Sequence, residues 1–526
     1  MTVLSSILED PQKFACGVEL VTTRGTMGET KAVRTRSFAG DLAEDPRVDW
    51  VSITDNAGGN PHLAPESLGK PILYAGKEVV IHLSCKDFNR NGLESTAWHL
   101  SSEGFRNILA LSGDYPTAGY SGMSKPVFDI DSIGLLTLLN EMNHGLGVPL
   151  RNGDGETKKS LQQTQFYLGA VVTNFKRHEN EVIPQLLKLR KKIECGAKFV
   201  IAQIGFDSRK SSELIGYMQN HGLAGIPLIG NVFVMSAPLA RFFHRGTIPG
   251  VYISEELLEK FIHMGKSPDQ GRKFFLEFAA KQVAVFKGLG FRGAYIGGVD
   301  HAKDLDEILE TANSFAEEDW KAFAAEIQFP HAEEFYLYEQ DPTSGLADCS
   351  RLNSTYAKSL ETREPTHNVT LGYRFNKLVH DRVFTPGNRL FSLGKKIYES
   401  SADPSQGPKP LRILENVAKS TLFGCQDCGD CSLPETGYLC PESACVKNQR
   451  NGPCGGTRDG LCEIEDFECI WARTYDRLKA EGKEQEMLSH TPVIQDQSLR
   501  GTSSWGNTFR GIDHIGQNPQ RKKDMD

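Results

Sequence analysis

Eight of the twelve cysteines in this chain lie within 45 residues near the C-terminus. Four thiolates form one complete ligand set for a zinc ion or an iron–sulfur cluster, so eight supply two sets. The triplet Cys425, Cys428 and Cys431 has two-residue gaps and can wrap one face of a four-iron cluster, with Cys462 or Cys469 as a candidate fourth ligand. The sequence therefore predicts a small metal-held module with the candidate ligands Cys425, Cys428, Cys431, Cys440, Cys445, Cys454, Cys462 and Cys469.

A disulfide-stapled module is the alternative, because dense cysteine also marks small secreted scaffolds. The N-terminal sequence MTVLSSILEDPQKFACG lacks the charged start and long apolar core of a secretory signal. No stretch approaches the roughly 18 apolar residues of a membrane span. We therefore expect a cytoplasmic protein with reduced, metal-binding cysteines, and reduced structural thiols are the alternative. The tight triplet favours a [4Fe–4S] cluster for at least one site, while zinc stays open for the other.

The charge balance argues against a nucleic-acid partner. With 59 Lys and Arg against 67 Asp and Glu, the formal net charge is −8, and electrostatic binding to nucleic acid needs concentrated positive charge. The local basic run Lys188-Leu-Arg190-Lys191-Lys192 is interpreted as the solvated face of an amphipathic helix. We expect no membrane contact, and a homo-oligomer.

The first 310 residues alternate short β-branched runs with longer amphipathic segments, which is typical of β/α units on a parallel sheet. Eight such units predict a closed β/α (TIM) barrel, with the active site at the C-terminal ends of its strands. An open doubly wound sheet is the alternative. The predicted strands are Gly17–Val21, Trp50–Thr54, Val79–Leu83, Asn107–Leu111, Tyr167–Val172, Phe199–Gln203, Pro227–Val232 and Gly293–Gly297.

Composition divides the rest of the chain. After the barrel (1–310), residues 311–400 are predicted to form a helical extension, and the Pro-, Gly- and Ser-rich residues 401–410 a linker. The cysteine-rich module covers 411–486. Residues 487–526 are polar with little apolar periodicity, which predicts disorder or a loosely docked tail.

Polar residues recur where the predicted strands end. Because parallel strands of a barrel end on one rim, these side chains define a mouth that binds a ligand. Glu19 lies between two apolar residues of the first strand, where apolar surroundings would raise the pKa of its carboxyl into the range of a general acid. A structural carboxylate is the alternative. Other rim positions are Thr54, His82, Gly113, Asp114 and Gln203.

These stretches resemble the methylenetetrahydrofolate reductase family, whose members interconvert methylene- and methyl-tetrahydrofolate with FAD. The resemblance covers about the first 300 residues, and the cysteine module is similar to a C-terminal module of one branch of the family. The matching stretches are Gly17-Val-Glu19-Leu, Trp50-Val-Ser-Ile-Thr54, Ile81-His82-Leu-Ser-Cys85, Asn107-Ile-Leu-Ala-Leu-Ser-Gly113-Asp114-Tyr-Pro116, Gly196-Ala-Lys-Phe-Val-Ile-Ala-Gln203-Ile-Gly-Phe-Asp207, Gly424-Cys-Gln-Asp-Cys-Gly-Asp-Cys431, Asn451-Gly-Pro-Cys454-Gly-Gly and Gly460-Leu-Cys462-Glu.

The resemblance implies a role for each rim residue. It makes Glu19 the acid that protonates a folate nitrogen, and it places Asp114 beside the flavin ring, where a carboxylate tunes the redox potential. It assigns Gln203 to folate and nicotinamide. The positions that it implies for FAD binding are Thr54, His82, Gly113, Asp114 and Lys192.

The chain departs from the family pattern at two places. The eighth strand ends in Tyr295-Ile-Gly297-Gly298, where many members have an aromatic residue followed by an arginine, and the segment Val171–Phe175 lacks a tyrosine that some members place against the cofactor. Two electron routes therefore stay open: NAD(P)H acting directly, or a redox partner protein that docks at the cysteine module.

The leading hypothesis is an FAD-dependent oxidoreductase of one-carbon metabolism, with tetrahydrofolate as substrate. It either makes methyl-folate for methionine synthesis or oxidises methyl-folate released by demethylation. A zinc-dependent methyltransferase with a folate or corrinoid methyl donor is the alternative enzyme class. A third interpretation, a non-catalytic adaptor, is disfavoured because Glu19, Asp114 and Gln203 lie at one end of the predicted barrel.

Overall fold

Eight parallel strands form a closed barrel in the computed structural model, which describes residues 3–149, 158–246 and 248–516. All eight predicted strands are present, and their ends differ from the predicted ones by two residues at most. Each strand pairs with its neighbour along the chain, and the last pairs with the first. The barrel strands are β1 (Ala15–Leu20), β2 (Trp50–Ile53), β3 (Glu78–Ser84), β4 (Asn107–Leu111), β5 (Tyr167–Val172), β6 (Phe199–Ala202), β7 (Leu228–Phe233) and β8 (Gly293–Gly297).

Helices surround the barrel and continue beyond it. They are α1 (Val3–Glu9), α2 (Thr30–Glu44), α3 (Glu66–Tyr74), α4 (Arg90–Ser102), α5 (Ser132–His144), α6 (Glu179–Glu194), α7 (Ser208–Asn220), α8 (Ala237–His244), α9 (Glu255–Met264), α10 (Arg272–Leu289), α11 (Ala302–Ser314), α12 (Asp319–Glu326), α13 (Ser354–Thr362), α14 (Leu371–Val383), α15 (Arg389–Glu399), α16 (Lys409–Phe423), α17 (Pro441–Ala444), α18 (Ile470–Ala480) and α19 (Ser504–Arg510). Within the described ranges, no helix has the length and apolarity that crossing a membrane requires.

The barrel interior is filled by large rings set against glycines. A Cβ on Gly17 would lie 2.0 Å from the Trp50 ring, and one on Gly169 would lie 2.2 Å from the Phe199 ring. Leu4, from α1, is fully buried in the same cluster. The interior is therefore packed side chains rather than a pore, and ligands can enter only at an end.

The helical extension contains a short hairpin that the helical prediction for 311–400 does not include. Strands Tyr338–Gln340 and Ala347–Leu352 pair antiparallel. The turn between them is held by Asp341, whose carboxylate accepts from the Thr343 backbone N–H at 2.9 Å. Local turn chemistry of this kind overrides helical propensity.

The cysteine module packs directly on the barrel. α16 begins at Lys409, inside the predicted linker 401–410. Asp131, the N-cap of α5, accepts hydrogen bonds from the Asn451 backbone N–H (2.8 Å) and side-chain amide (3.1 Å). Since the Asp131 carboxylate also caps α5, one buried group ties the module to the barrel.

The interpretation of the basic run as a solvated helix face is wrong. Lys188, Lys191 and Lys192 are at most 7% exposed, because the module and the barrel cover this side of α6. Lys188 Nζ donates to the carbonyls of Gly452 and Pro453, both at 3.0 Å.

Residues 487–516 differ from the expected disorder or loose docking. Asn507 is fully buried and its side-chain amide donates to the Gly429 carbonyl at 2.8 Å, and buried His514 forms an ion pair with Asp430. Specific polar contacts hold this segment, which is why apolar periodicity did not reveal it. The remaining residues of the predicted tail, 517–526, lie outside the described residues.

Candidate active site

The residues predicted for the mouth lie at the C-terminal ends of the barrel strands. Thr54 directly follows β2, Gln203 directly follows β6, and Gly113 follows β4 after one residue. Glu19 and His82 lie within β1 and β3, near their C-terminal ends. The barrel therefore brings these side chains to one rim.

A chain of hydrogen bonds crosses the mouth from the first strand to the third. The Tyr295 hydroxyl donates to Glu19 Oε2 at 2.8 Å and also interacts with Ser52. Ser52 Oγ lies 2.8 Å from His82 Nε2. Four strands thus contribute one polar group each to a connected interior network.

Burial sets the protonation states along this network. It raises the pKa of Glu19 above its ordinary value, and the Tyr295 hydrogen bond opposes the rise because it stabilises the carboxylate. Burial also lowers the pKa of His82 to about 4. At neutral pH the His82 imidazole is uncharged. The pKa of Glu19 is shifted in the direction that favours a proton donor.

The rim between β2 and β4 contains a buried polar group without a hydrogen-bond partner. The Thr54 hydroxyl is buried and has no hydrogen-bond partner. Asp114 accepts from the Gly58 backbone N–H at 2.8 Å. At Gly113 φ is +87°, and a Cβ would lie 3.0 Å from the Ser84 and Lys86 side chains. This turn needs glycine, and the unpaired hydroxyl at the rim fits a polar ligand.

Lys192 is held inside the protein. Its Nζ donates to the Val171 carbonyl of β5 at 2.6 Å, and burial together with the nearby Lys188 lowers its pKa to about 7. In this arrangement the ammonium donates its hydrogen bond to the barrel backbone. Val171 is the next-to-last residue of β5.

Residues 445–457 of the module, here called the strap, cover part of the mouth. Lys447 Nζ donates to the Gly113 carbonyl at 3.0 Å, and Gln449 Oε1 accepts from Ser112 Oγ at 3.1 Å. On the other side, the Gly455 carbonyl would lie 3.1 Å from a Cβ on Gly250. The strap therefore spans the rim from the end of β4 to the loop between α8 and α9.

A cavity of about 240 Å³ opens where the strap leaves the rim. A Cβ on Gly250, in its wall, would lie 3.3 Å from Gln203 Nε2, so Gln203 lies next to this cavity. Its lining comes from both halves of the chain and includes Lys176, Arg177, Tyr252, His331, Arg458 and Cys462.

The eight module cysteines divide into two neighbourhoods. In the first set the Cys425 thiol interacts electrostatically with Cys431 and Cys440, and Cys431 with Cys428. In the second set Cys445 and Cys469 both interact with Cys454, as does Cys462. The structure thus places Cys440 beside the triplet, whereas the predicted fourth ligands Cys462 and Cys469 belong to the second set.

Every cysteine is a free thiol. Burial raises the pKa of Cys445 to about 12, and the neighbouring Cys454 thiol adds to this rise. The donor chemistry of both sets fits zinc or an iron–sulfur cluster. Among the described residues, however, no three His, Cys, Asp or Glu side chains are arranged so that they could hold a metal ion.

Sequence reasoning missed two contacts in this site. Tyr295 was noted only as a departure from the family pattern, and Lys447 was not singled out. The Tyr295 contact follows from barrel closure, which sets β8 beside β1. No local signal identifies Lys447, because its partner Gly113 lies 334 residues away.

Fold and site together define a β/α barrel with a carboxyl group at its mouth. Residues 10–313, more than half of the chain, match the family model for methylenetetrahydrofolate reductase. Residues 409–498 match a model described as the C-terminal part of methylene-tetrahydrofolate reductase. The chain therefore belongs to the methylenetetrahydrofolate reductase family and is an oxidoreductase of that type.

Solved structures share the barrel at low identity. An uncharacterized protein from Clostridium thermocellum that binds two copies of 5-methyl-5,6,7,8-tetrahydrofolic acid is 11% identical, with a TM-score of 0.40, covering 59% of this chain and 98% of its own. A 2,3-dimethylmalate lyase of the PEP mutase/isocitrate lyase superfamily is 14% identical, with a TM-score of 0.31, covering 59% of this chain and 84% of its own. Likeness at these TM-scores carries no functional argument. No curated protein matched the chain.

Replacing Tyr295 by Phe is expected to raise the pKa of Glu19, because the carboxylate loses a hydrogen bond that stabilises its charged form. An acid works only while protonated, so if Glu19 is the acid of the reaction, the fall in activity at high pH should shift upward by about one pH unit. The measurement is the pH profile of kcat.

Tyr167→Phe is the matched control, because the Tyr167 hydroxyl is also buried in the barrel and has no hydrogen-bond partner. Its pH profile should equal that of the wild type. An unshifted profile for Tyr295→Phe would show that Glu19 does not set the high-pH limb.

Proposed function

We propose that this protein is a flavin-dependent oxidoreductase that interconverts 5,10-methylenetetrahydrofolate and 5-methyltetrahydrofolate. The observation that carries the proposal is the partly buried Glu19 carboxyl at the barrel mouth, which accepts a hydrogen bond from Tyr295 and has a raised pKa. Family membership supplies the reaction type. The physiological direction is either methyl-folate formation for methionine synthesis or oxidation of methyl-folate after demethylation.

The rim between β2 and β4 is the proposed site for FAD. The unpaired Thr54 hydroxyl, the glycine turn at Gly113 and the Asp114 carboxylate fit a polar, flat ligand. His82 is neutral and offers its ring beside them. Bound FAD would supply hydride chemistry, which no side chain can provide.

In the proposed reaction the side chains bind folate and move one proton. Glu19 donates its proton to a folate nitrogen, the bond from that nitrogen to the methylene carbon breaks, and the carbon becomes an iminium. The hydride that converts this carbon into a methyl group would come from reduced FAD held in the proposed cradle. Gln203, beside the cavity at the strap, is placed to bind the folate or a nicotinamide. Desolvation of Glu19 inside the barrel mouth raises its pKa, as an acid in this role needs.

Replacing Glu19 by Gln should reduce folate turnover by about 100-fold or more, because the proton donor is lost while the size of the side chain is kept. FAD affinity should stay within about twofold, since Glu19 does not belong to the proposed FAD cradle. Steady-state turnover and flavin titration measure the two effects.

The control for this substitution is Glu141→Gln, which changes an exposed glutamate on α5. Full folate turnover by a flavin-loaded Glu19→Gln protein would contradict the assigned mechanism.

We further propose that the two thiol sets bind metal, as a [4Fe–4S] cluster or zinc, and that their side chains close around it on binding, since no three of them are so arranged in the described residues. The support is chemical: eight free thiols in two groups of four, on a module of the same family. Anaerobically purified protein should contain FAD, with iron and acid-labile sulfide in at least one set. Absorbance near a typical 450 nm flavin band identifies the flavin.

The outcomes of this composition analysis separate the alternatives. Iron and sulfide near zero would refute the cluster while the flavin proposal stands. A colourless preparation containing only zinc would favour the methyltransferase alternative. Variants Cys428→Ser and Cys454→Ser should each lower the metal content of one set, whereas Cys349→Ser, in the hairpin, should not.

A redox partner with an acidic surface is the proposed occupant of an apolar groove on the module. The groove has a volume of about 380 Å³ between α14 and α16, and Cys431 of the first thiol set is in its wall. Residues 371–423 carry nine Lys and Arg against four Asp and Glu, whereas the whole chain is acidic. This positive segment disfavours a second copy packed symmetrically face to face and favours an acidic protein. The apolar lining includes Phe375, Val379, Phe384, Leu414, Leu422 and Trp505.

Leu414→Asp should slow flavin reduction by a reduced, acidic two-cluster ferredoxin at least about tenfold, because a charge enters an apolar contact at its rim. Leu414 is 55% exposed, so the fold should tolerate the change. Stopped-flow absorbance measures the rate, and rising salt should weaken the wild-type reaction.

Tyr74→Asp, at a 71% exposed position on the barrel, is the control and should react at the wild-type rate. Equal rates for Leu414→Asp and wild type would place the partner elsewhere. A change of oligomeric state in Leu414→Asp alone would assign the groove to a second copy instead.

A further inference from the structure

The strap sends one charged side chain into the barrel mouth. Lys447 lies between Cys445 and Cys454 in sequence, but its ammonium donates to the Gly113 carbonyl at 3.0 Å. The residue is only 4% exposed. A lysine of the C-terminal module is therefore built into the turn at the end of β4.

Three neighbours hold this ammonium. Glu463, from the module, forms an ion pair with it. The Phe128 ring centroid lies 6.0 Å from Nζ on the barrel side, and the Gly113 carbonyl completes the set. A buried ammonium needs such partners, because an unpaired charge in the interior is costly. The position of Lys447 is thus fixed by both halves of the chain.

A second strap contact holds the same turn. Gln449 Oε1 accepts from Ser112 Oγ at 3.1 Å, so consecutive residues at the end of β4 each contact the strap. Asp114, the next residue, is fixed by the Gly58 backbone N–H. The turn that carries Gly113 and Asp114 is therefore held from one side by the barrel and from the other by the module.

We propose that Lys447 is a positioning residue of the flavin site: it fixes the Gly113–Asp114 turn and sets a positive charge beside it. This inference rests on the proposed FAD site. A cation near the flavin stabilises the reduced, more negative form, whereas the Asp114 carboxylate opposes it. The C-terminal module would then tune the flavin directly and would be part of the active site.

Lys447→Gln and Glu463→Gln are expected to shift the flavin midpoint potential in opposite directions. Lys447→Gln removes the cation, so FAD should bind about tenfold more weakly or worse, and the flavin midpoint potential should fall. Glu463→Gln removes the anion paired with Lys447, so the potential should rise. Lys447→Arg keeps the charge and should retain a potential closer to that of the wild type.

Flavin titration and redox titration of the full-length, FAD-loaded protein measure these effects. Lys483→Gln is the matched control: it removes one positive charge from a module lysine whose side chain is 51% exposed, and it should change neither quantity. Amide hydrogen exchange over residues 112–116 should speed up in Lys447→Gln and stay unchanged in the control.

The outcomes distinguish this inference from the proposed function. Wild-type protein that binds FAD, with unchanged affinity, potential and exchange in Lys447→Gln, would overturn the role of Lys447 and leave the function standing. A fall in potential for both Lys447→Gln and Glu463→Gln would show a structural disturbance rather than a charge effect, and would also overturn it. Wild-type protein that binds no FAD would overturn both. If Lys447→Gln does not fold, Lys447→Arg and Glu463→Gln still test whether the charge beside the turn sets the flavin midpoint potential.

Discussion

Buried lysine ammoniums that donate to backbone carbonyls join the two ends of this chain into one folded unit. Lys188 reaches Gly452 and Pro453, and Lys176 reaches Thr457, from the barrel into the strap. Lys447 reaches Gly113 in the opposite direction. An ammonium can be buried only if its hydrogen bonds are made, so these contacts require barrel and module to be folded against each other. The strap over the mouth is their direct consequence.

Burial inside the barrel explains the electrostatics of the mouth. Burial raises the pKa of Glu19 and lowers that of His82 to about 4, so burial shifts each group toward its neutral form. Access of water would weaken both shifts. The Tyr295 hydroxyl donates a hydrogen bond to Glu19, which replaces part of the hydration that the carboxylate lost on burial. Proton chemistry at the mouth therefore depends on a residue 276 positions from Glu19 along the chain.

The module presents its thiols on two sides. The second set adjoins the strap and thus the mouth, since Cys445 and Cys454 lie within it. The first set adjoins the apolar groove through Cys431. The short helix α17 separates the sets in sequence, between Cys440 and Cys445. This order, from groove to thiols to strap to mouth, is the structural basis for the electron-handling role that we propose.

The barrel itself was predictable because each strand is a local apolar run that ends in polar or glycine residues. Parallel strands end on one rim, which is why the sequence alone could group Glu19, Thr54, His82, Gly113 and Gln203. The interpretation of the basic run on α6 was wrong because its burial depends on residues far away in the chain. Helical periodicity reports the amphipathicity of one element, whereas the burial of Lys188 depends on a carbonyl 264 residues away.

The amino-acid sequence by itself therefore determined the barrel, its polar rim and the eight thiols of the module, since these follow from local patterns. Only the tertiary structure decided the pairing of Tyr295 with Glu19, the division of the thiols into two sets and the entry of Lys447 into the mouth. Each of these is a contact between residues far apart in the chain. The free energy of such contacts comes from desolvation and hydrogen bonding in the folded state, and no local pattern records it.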